Sequence, residues 1–223
     1  MKNERVIKLI SDHYGKRLER WYLAMDFDET LARELRDQYV ARFKAAMSEA
    51  DFGPDNAKFS SYANCLSGLL AYAIAREQGL SMGDGVVCYD YMANPLRRFA
   101  AWLWNTVDLL PNGFSILSGN VREDLMGPKG VCWQTEVVED SADRFEYRCH
   151  ACLYYEICCS YGYPEAIQLF CNHDHYAWDG LHRHVRFERY GGIGELLEDG
   201  SLPDGLLSTE PGCLCHDAFI RVR

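Results

Sequence analysis

The sequence predicts an α+β fold: an N-terminal helical layer packed on a mostly antiparallel sheet, with a helix pair inserted between C-terminal strands. Three observations carry this. Apolar residues recur at three-to-four-residue intervals through the first part of the chain. Beyond residue 130 they alternate with a period of two. Between the strand candidates, Gly162 and Pro164 punctuate a stretch of helical period. With 223 residues, 48% of them hydrophobic, the chain can bury one core. A single domain over residues 1–223 is expected, helical at 1–127 and carrying the sheet and a cysteine-rich site at 128–223.

Taken in order, Val6, Leu9, Ile10, Leu18, Trp21, Tyr22 and Met25 share helical spacing, as do Leu31, Leu35, Tyr39, Phe43 and Met47 after a break near Asp26. Asp28 suits the N-cap of the second helix. Gly53-Pro54-Asp55 stops it, and a third helix runs from Ser60 to Gln78, closed by Gly79. Met82 to Asn94 reads as irregular, and Pro95 as the first residue of a helix containing Phe99, Trp102, Leu103 and Leu110, ended by Pro111-Asn112-Gly113. Val131–Glu139 and Arg144–Cys149 read as strands, the second setting Phe145, Tyr147 and Cys149 on one face. Helices follow at Leu153–Tyr161 and from Pro164 to Tyr176. His184–Tyr190 and Ala218–Arg223 are the last strands, joined by a Gly-rich, acidic loop or lid at 191–212.

A net charge of −10, with Lys and Arg unclustered, excludes the footprint of a nucleic-acid-binding protein. No run approaches the roughly 18 to 20 apolar residues of a spanning helix, and the charged residues of Met1 to Lys8 precede no signal core. No membrane partner and a cytoplasmic location are therefore expected. The partner expected is a small-molecule substrate; the sequence names no oligomeric state.

Seven of the ten cysteines and six of the seven histidines fall after residue 148. In a reducing compartment such thiols are free, metal-bound or catalytic. Cys149-His150-Ala151-Cys152 lies where a strand hands over to a helix, and backbone N–H groups and the helix dipole there are expected to lower the pKa of Cys152. A nucleophilic cysteine, a redox dithiol, half a zinc site and plain core packing all fit this pair. In Cys171-Asn172-His173-Asp174-His175, residues 171, 174 and 175 share a helical face, setting a thiol, a carboxylate and an imidazole toward one pocket. Cys213 and Cys215 face the same way on an extended chain; with Cys149 and Cys152 they compose an alternative four-thiolate zinc site. His182 and His184 have the strand spacing of metal ligands, or are surface residues. No phosphate loop or nucleophile-elbow serine is present.

The succession of Cys152, Gly162-Tyr163-Pro164-Glu165, Cys171-x-x-Asp174, Phe187-Glu188-Arg189 and Cys215 before an aromatic-containing last strand resembles the L-2-amino-thiazoline-4-carboxylic acid hydrolase family, over residues 148–223. It is more distantly similar to vinyl-reductase-like ligand-binding domains. The Gly-x-x-x-Cys-Asp-Phe type of ending is displaced here, where Gly212 precedes Cys213-Leu214-Cys215-His216-Asp217-Ala218-Phe219. The resemblance implies a hydrolase in which water opens an aminothiazoline, a cyclic amidine, to a carbamoyl-cysteine. On that basis Cys152 is the expected nucleophile, Asp174 the residue that holds the amidinium and activates water, and Cys171 and Cys215 line the site. Arg189, His175 and Cys149 are the expected substrate-binding residues, with Arg189 taking a substrate carboxylate. No cofactor and no metal ligand are assigned, zinc being the alternative. A binding module without turnover and a zinc or redox protein are the rival classes.

Overall fold

A computed structural model describes residues 2–193 and 213–223, and the α+β expectation holds: helices come first, and four strands form one antiparallel sheet near the C-terminus. The described residues group into two compact units, Met1–Asn94 and Pro95–Arg223. Most of the expected 191–212 loop, residues 194–212, lies outside the described residues.

The first unit holds α1 (Lys2–Ala24), α2 (Glu29–Glu49), α3 (Phe59–Glu77) and the first half of α4 (Met82–Asp108). The Asp28 carboxylate accepts the N–H groups of Thr30 and Leu31, at 2.8 and 3.2 Å, and so starts α2 as its sequence position suggested. Of the face predicted for α2, Leu35, Tyr39, Phe43 and Met47 are buried, joined by Ala32, while Leu31 is only half-buried. In α1 the buried stripe is Ser11, Leu18, Trp21 and Tyr22, whereas Leu9, expected on the same face, is 70% exposed. Every residue of α3 from Cys65 to Ala75 is buried, making it the central helix of the unit.

Two glycines permit this close packing. A Cβ on Gly15 of α1 would lie 2.8 Å from Val40 Cγ2 of α2, and one on Gly85 of α4 would lie 2.6 Å from a ring carbon of buried Tyr72 in α3. Gly85→Ala is therefore expected to lower stability by about 1–3 kcal/mol, even though alanine favours helix by about 1 kcal/mol. Chemical denaturation of the two proteins measures this.

The expected irregular segment before Pro95 is instead the first half of one long helix. Ser81 and Asp84 form a reciprocal cap: the Ser81 N–H donates to the Asp84 carboxylate at 3.0 Å, and the Asp84 N–H to Ser81 Oγ at 3.1 Å. Pro95 brings no N–H for the carbonyl of Tyr91 one turn back. The Arg17 guanidinium of α1 donates to that carbonyl, and its charge lies 5.3 Å from the Tyr91 ring. The helix continues through a proline because a side chain replaces the missing donor.

The second unit holds the rest of α4, α5 (Gly113–Met126), β1 (Trp133–Asp140), β2 (Arg144–Cys152), α6 (Leu153–Ser160), α7 (Gln168–Trp178), β3 (Val185–Gly192) and β4 (Cys215–Arg221). Gly113, expected to end a helix, begins α5. Gly162, in the left-handed region at φ 79°, ends the chain's passage through α6, and Pro164 opens a short 3₁₀ turn that leads into α7. β3 runs two residues into the stretch expected as loop.

The sheet order is β1-β2-β4-β3, every neighbouring pair antiparallel. Register places Phe145, Phe219 and Phe187 in one cross-strand row, Tyr147, Asp217 and Arg189 in the next, and Cys149, Cys215 and Gly192 in the third. Phe114, Leu117 and Val121 of α5 pack against Phe145, Tyr147 and Phe219, and Trp178 of α7 against Phe187 and Phe219. One face of the sheet is thus apolar at one end and bears the polar and thiol rows toward the other.

Candidate functional site

The polar row is continuous. Arg189 Nε donates to Asp217 Oδ1 at 2.8 Å, and the Tyr147 hydroxyl donates to Asp217 Oδ2 at 3.1 Å. From α7 above the sheet, Asp174 Oδ2 accepts from Arg189 Nη2 at 2.9 Å, and the Cys171 carbonyl accepts from Nη1 at 3.2 Å. Asp217 is 2% exposed and the Arg189 side chain 4%. This ion pair is fully desolvated and, having its hydrogen bonds made, is held rigidly. The guanidinium expected to receive a substrate carboxylate in bidentate fashion is engaged with Asp217, Asp174 and Cys171 instead, leaving it one N–H for anything else.

Asp174 stands at the edge of this buried row, with 33% of its side chain open to solvent. The protein packed around it raises its carboxyl to about 6; Arg189 pulls it down and the like charge of Asp217 pushes it up. It is the acid of this cluster placed to change charge near neutrality.

The thiols are linked to this row through Cys171 and Cys215. Cys149 and Cys215 are cross-strand partners, and a hydrogen bond between their side chains, with burial, raises the Cys215 thiol well above its usual value. Cys152 holds the N-cap position of α6 as expected; its side chain makes no capping hydrogen bond, although the nearby N–H groups of Tyr154 and Tyr155 favour its thiolate. The expected fall in its pKa does not follow: burial outweighs the two N–H groups and the thiol is pushed up to about 12. Burial likewise raises Cys171, against the pull of Arg189. Cys152, Cys171 and Cys215 are partly open to solvent, while Cys149 is 2% exposed. Six of the residues singled out from sequence, Cys149, Cys152, Cys171, Asp174, Arg189 and Cys215, thus belong to one linked group.

The others fall elsewhere. His175 turns to Asp179 at 3.2 Å and sets its ring edgewise on Phe187, although its charge is felt at Asp174. Cys213 donates to the Cys215 carbonyl at 3.1 Å and Cys149 to the Ala151 carbonyl at 3.0 Å. Among the described residues no three or more His, Cys, Asp or Glu side chains are grouped to hold a metal ion. Nor, among them, is any helix long and apolar enough to cross a membrane.

The segment of His182 and His184 has a structural partner. Four consecutive N–H groups, from His182 to Val185, donate to the carboxylate of Asp108 at 2.8 to 2.9 Å. Asp108 closes α4 and is 2% exposed. Burial opposes its charge, and the four hydrogen bonds prevail and hold it below the ordinary carboxylate value. It sets the point from which β3 departs toward Arg189.

Asp217, Tyr147 and Asp108 carried no assigned role from sequence. A signal for Asp217 was present: with Cys215 and Phe219 at alternate positions on a strand, its carboxylate shares their buried face and requires a partner there. For Asp108 no local signal exists, its partners lying more than seventy residues away.

Comparison with curated proteins and with solved structures gives no match. The family described as L-2-amino-thiazoline-4-carboxylic acid hydrolase does match, over residues 69–195. The match begins in α3, well before the stretch that carried the resemblance, and takes in Cys149, Cys152, Cys171, Asp174 and Arg189. Because it covers more than half of the chain, the protein belongs to the L-2-amino-thiazoline-4-carboxylic acid hydrolase family.

Proposed function

We propose that the protein hydrolyses a small cyclic amidine or thiazoline-like substrate, breaking a ring C–S or C–N bond. The observation that supports this most is Asp174: a carboxylate anchored by Arg189, raised to about 6, and still partly open to solvent beside neutral thiols. Near pH 7 it is mostly ionised. A planar amidinium offers two N–H groups to such a carboxylate, and pairing there keeps the ring carbon electrophilic.

Water then adds to the carbon flanked by two nitrogens and a sulfur, with Asp174 as general base. The C–S bond breaks; the water oxygen becomes the carbamoyl oxygen, one of its protons ends on the departing sulfur and the other leaves through Asp174 to solvent, while the ring nitrogen keeps the amidinium proton as the carbamoyl N–H. Cys171 and Cys215, protonated at neutral pH, line the sulfur side of the ring as weak S–H donors. The product has lost its positive charge, so its pairing with Asp174 weakens and it leaves.

A second route has its own support. Cys152 stands at the start of α6, where the N–H groups of Tyr154 and Tyr155 favour a thiolate formed when a cationic substrate binds. Attack by that sulfur, followed by water, gives the same product through a covalent adduct. Turnover of cyclic amidines and thiazolines by wild type and Cys152→Ser separates the routes. Direct attack by water predicts that the variant keeps activity within about tenfold; thiolate attack predicts a loss of roughly a thousandfold or more and an adduct visible by mass spectrometry in wild type. Tight binding without turnover by wild type rejects both in favour of a ligand-binding module.

A further inference from the structure

We infer that Asp217, fixed by Tyr147, is a positioning residue: it sets the direction of the Arg189 guanidinium and thereby how much positive charge Asp174 experiences. The inference rests on the reading of Asp174 as the base of the proposed hydrolase. Three strands and one helix contribute a single line of hydrogen bonds, from the Tyr147 hydroxyl on β2 through Asp217 on β4 and Arg189 on β3 to Asp174 on α7.

The geometry gives Asp217 two distinct tasks. Its Oδ1 takes Nε of Arg189, the nitrogen nearest the chain, and this leaves the far edge of the fork to face α7. Its Oδ2 is shared between Tyr147, at 3.1 Å, and Nη2 of Arg189, at 3.5 Å. Nη2 is also the atom that holds Asp174 at 2.9 Å. One cation therefore serves two carboxylates, and each limits what the other receives. Because the Arg189 and Asp217 side chains are nearly inaccessible, solvent does not screen this division.

Among the described residues, the charged and titratable groups around Asp174 are Arg189 from β3, Asp217 from β4, Tyr147 from β2, and Cys171 and His175 on α7 itself. Arg189 and His175 favour its ionised form and Asp217 opposes it. Tyr147 and Cys171 stay neutral near pH 7, burial holding both protonated. Removing the Asp217 charge leaves Arg189 wholly to Asp174, so Asp174 becomes a stronger acid and a weaker base. A structural filler at position 217 would not do this.

The test is a carboxyl ¹³C NMR titration of aspartate-labelled wild type, Asp217→Asn and Asp217→Ser, with Asp174 assigned through Asp174→Asn, alongside the pH dependence of kcat/KM. The serine variant covers the case in which the asparagine amide prevents folding. In both variants the Asp174 titration is expected to move down by about one unit or more, the acid limb of kcat/KM moving with it. Unchanged titration of Asp174 in a folded variant overturns the inference. The NMR arm needs no turnover, so the two claims fail separately. A downward shift in a protein that hydrolyses no amidine supports the charge division and rejects the hydrolase reading; turnover with an unmoved titration does the reverse.

Discussion

Replacing Asp174 by Asn is expected to lower kcat/KM for a cyclic amidine by roughly 10²- to 10⁴-fold, with the fold intact. The substitution keeps the shape and removes the charge. Arg189 retains Asp217, so no buried cation is left alone. Stability responds in a defined direction. Folding raises the Asp174 carboxyl from its ordinary value of 3.8 to about 6, so the folded protein binds the extra proton between those values. Stability from this group is therefore fully present below about pH 4 and is lost as pH rises through about 6. The Asn variant should lack that slope while losing most of its activity, a separation that steady-state kinetics and denaturation at pH 4.5 and 7 detect together.

The largest expected effect on stability lies away from the thiols. Asp108→Ala should destabilise the protein by about 3–5 kcal/mol, because it leaves a ladder of four N–H groups without their charged acceptor. For a chain of this size, that corresponds to a fall of roughly 6–20 °C in Tm. Asp108→Asn rescues little, since its amide nitrogen would face two of the same N–H donors. The pH dependence runs opposite to that of Asp174. The folded Asp108 carboxyl lies below its ordinary value of 3.8, so its contribution is complete above that value and fades as pH falls through the folded one. Thermal unfolding of wild type and variant measures both effects.

Features set by local sequence were legible. Asp28 reads as a cap because its side chain reaches N–H groups two and three residues on. Gly79 and Gly162 read as stops because each adopts positive φ. The alternation of Phe145, Tyr147 and Cys149 identifies the covered face of β2, and Cys171-x-x-Asp174 the helical face turned to the sheet. What was not legible depends on distant chain. The continuity of α4 through Pro95 relies on a guanidinium from α1. The second helix of that region, α5, is hidden in the sequence because Pro111-Asn112-Gly113 has the composition of a stop, whereas Gly113 begins a helix where a Cβ would lie 2.5 Å from the Val107 carbonyl oxygen. The N-cap position of Cys152 could be read locally, whereas the burial that reverses its expected pKa shift is a property of the assembled sheet and helices. In the same way Arg189 is visible as a strand arginine, but its two carboxylate partners are known only once β4 and α7 lie beside β3.

The role of Asp174 is read from the pH profile of kcat/KM for 2-amino-thiazoline-4-carboxylate with the wild-type protein between pH 4.5 and 8. Across its acid half the substrate remains an amidinium carboxylate, so the limb reports the free enzyme. Hydrolysis to a carbamoyl-cysteine is expected, with kcat/KM rising with pH through an apparent value of about 6, where Asp174 loses its proton. Hydrolysis with a profile flat through that region, or with the same limb retained in Asp174→Asn, would contradict that role.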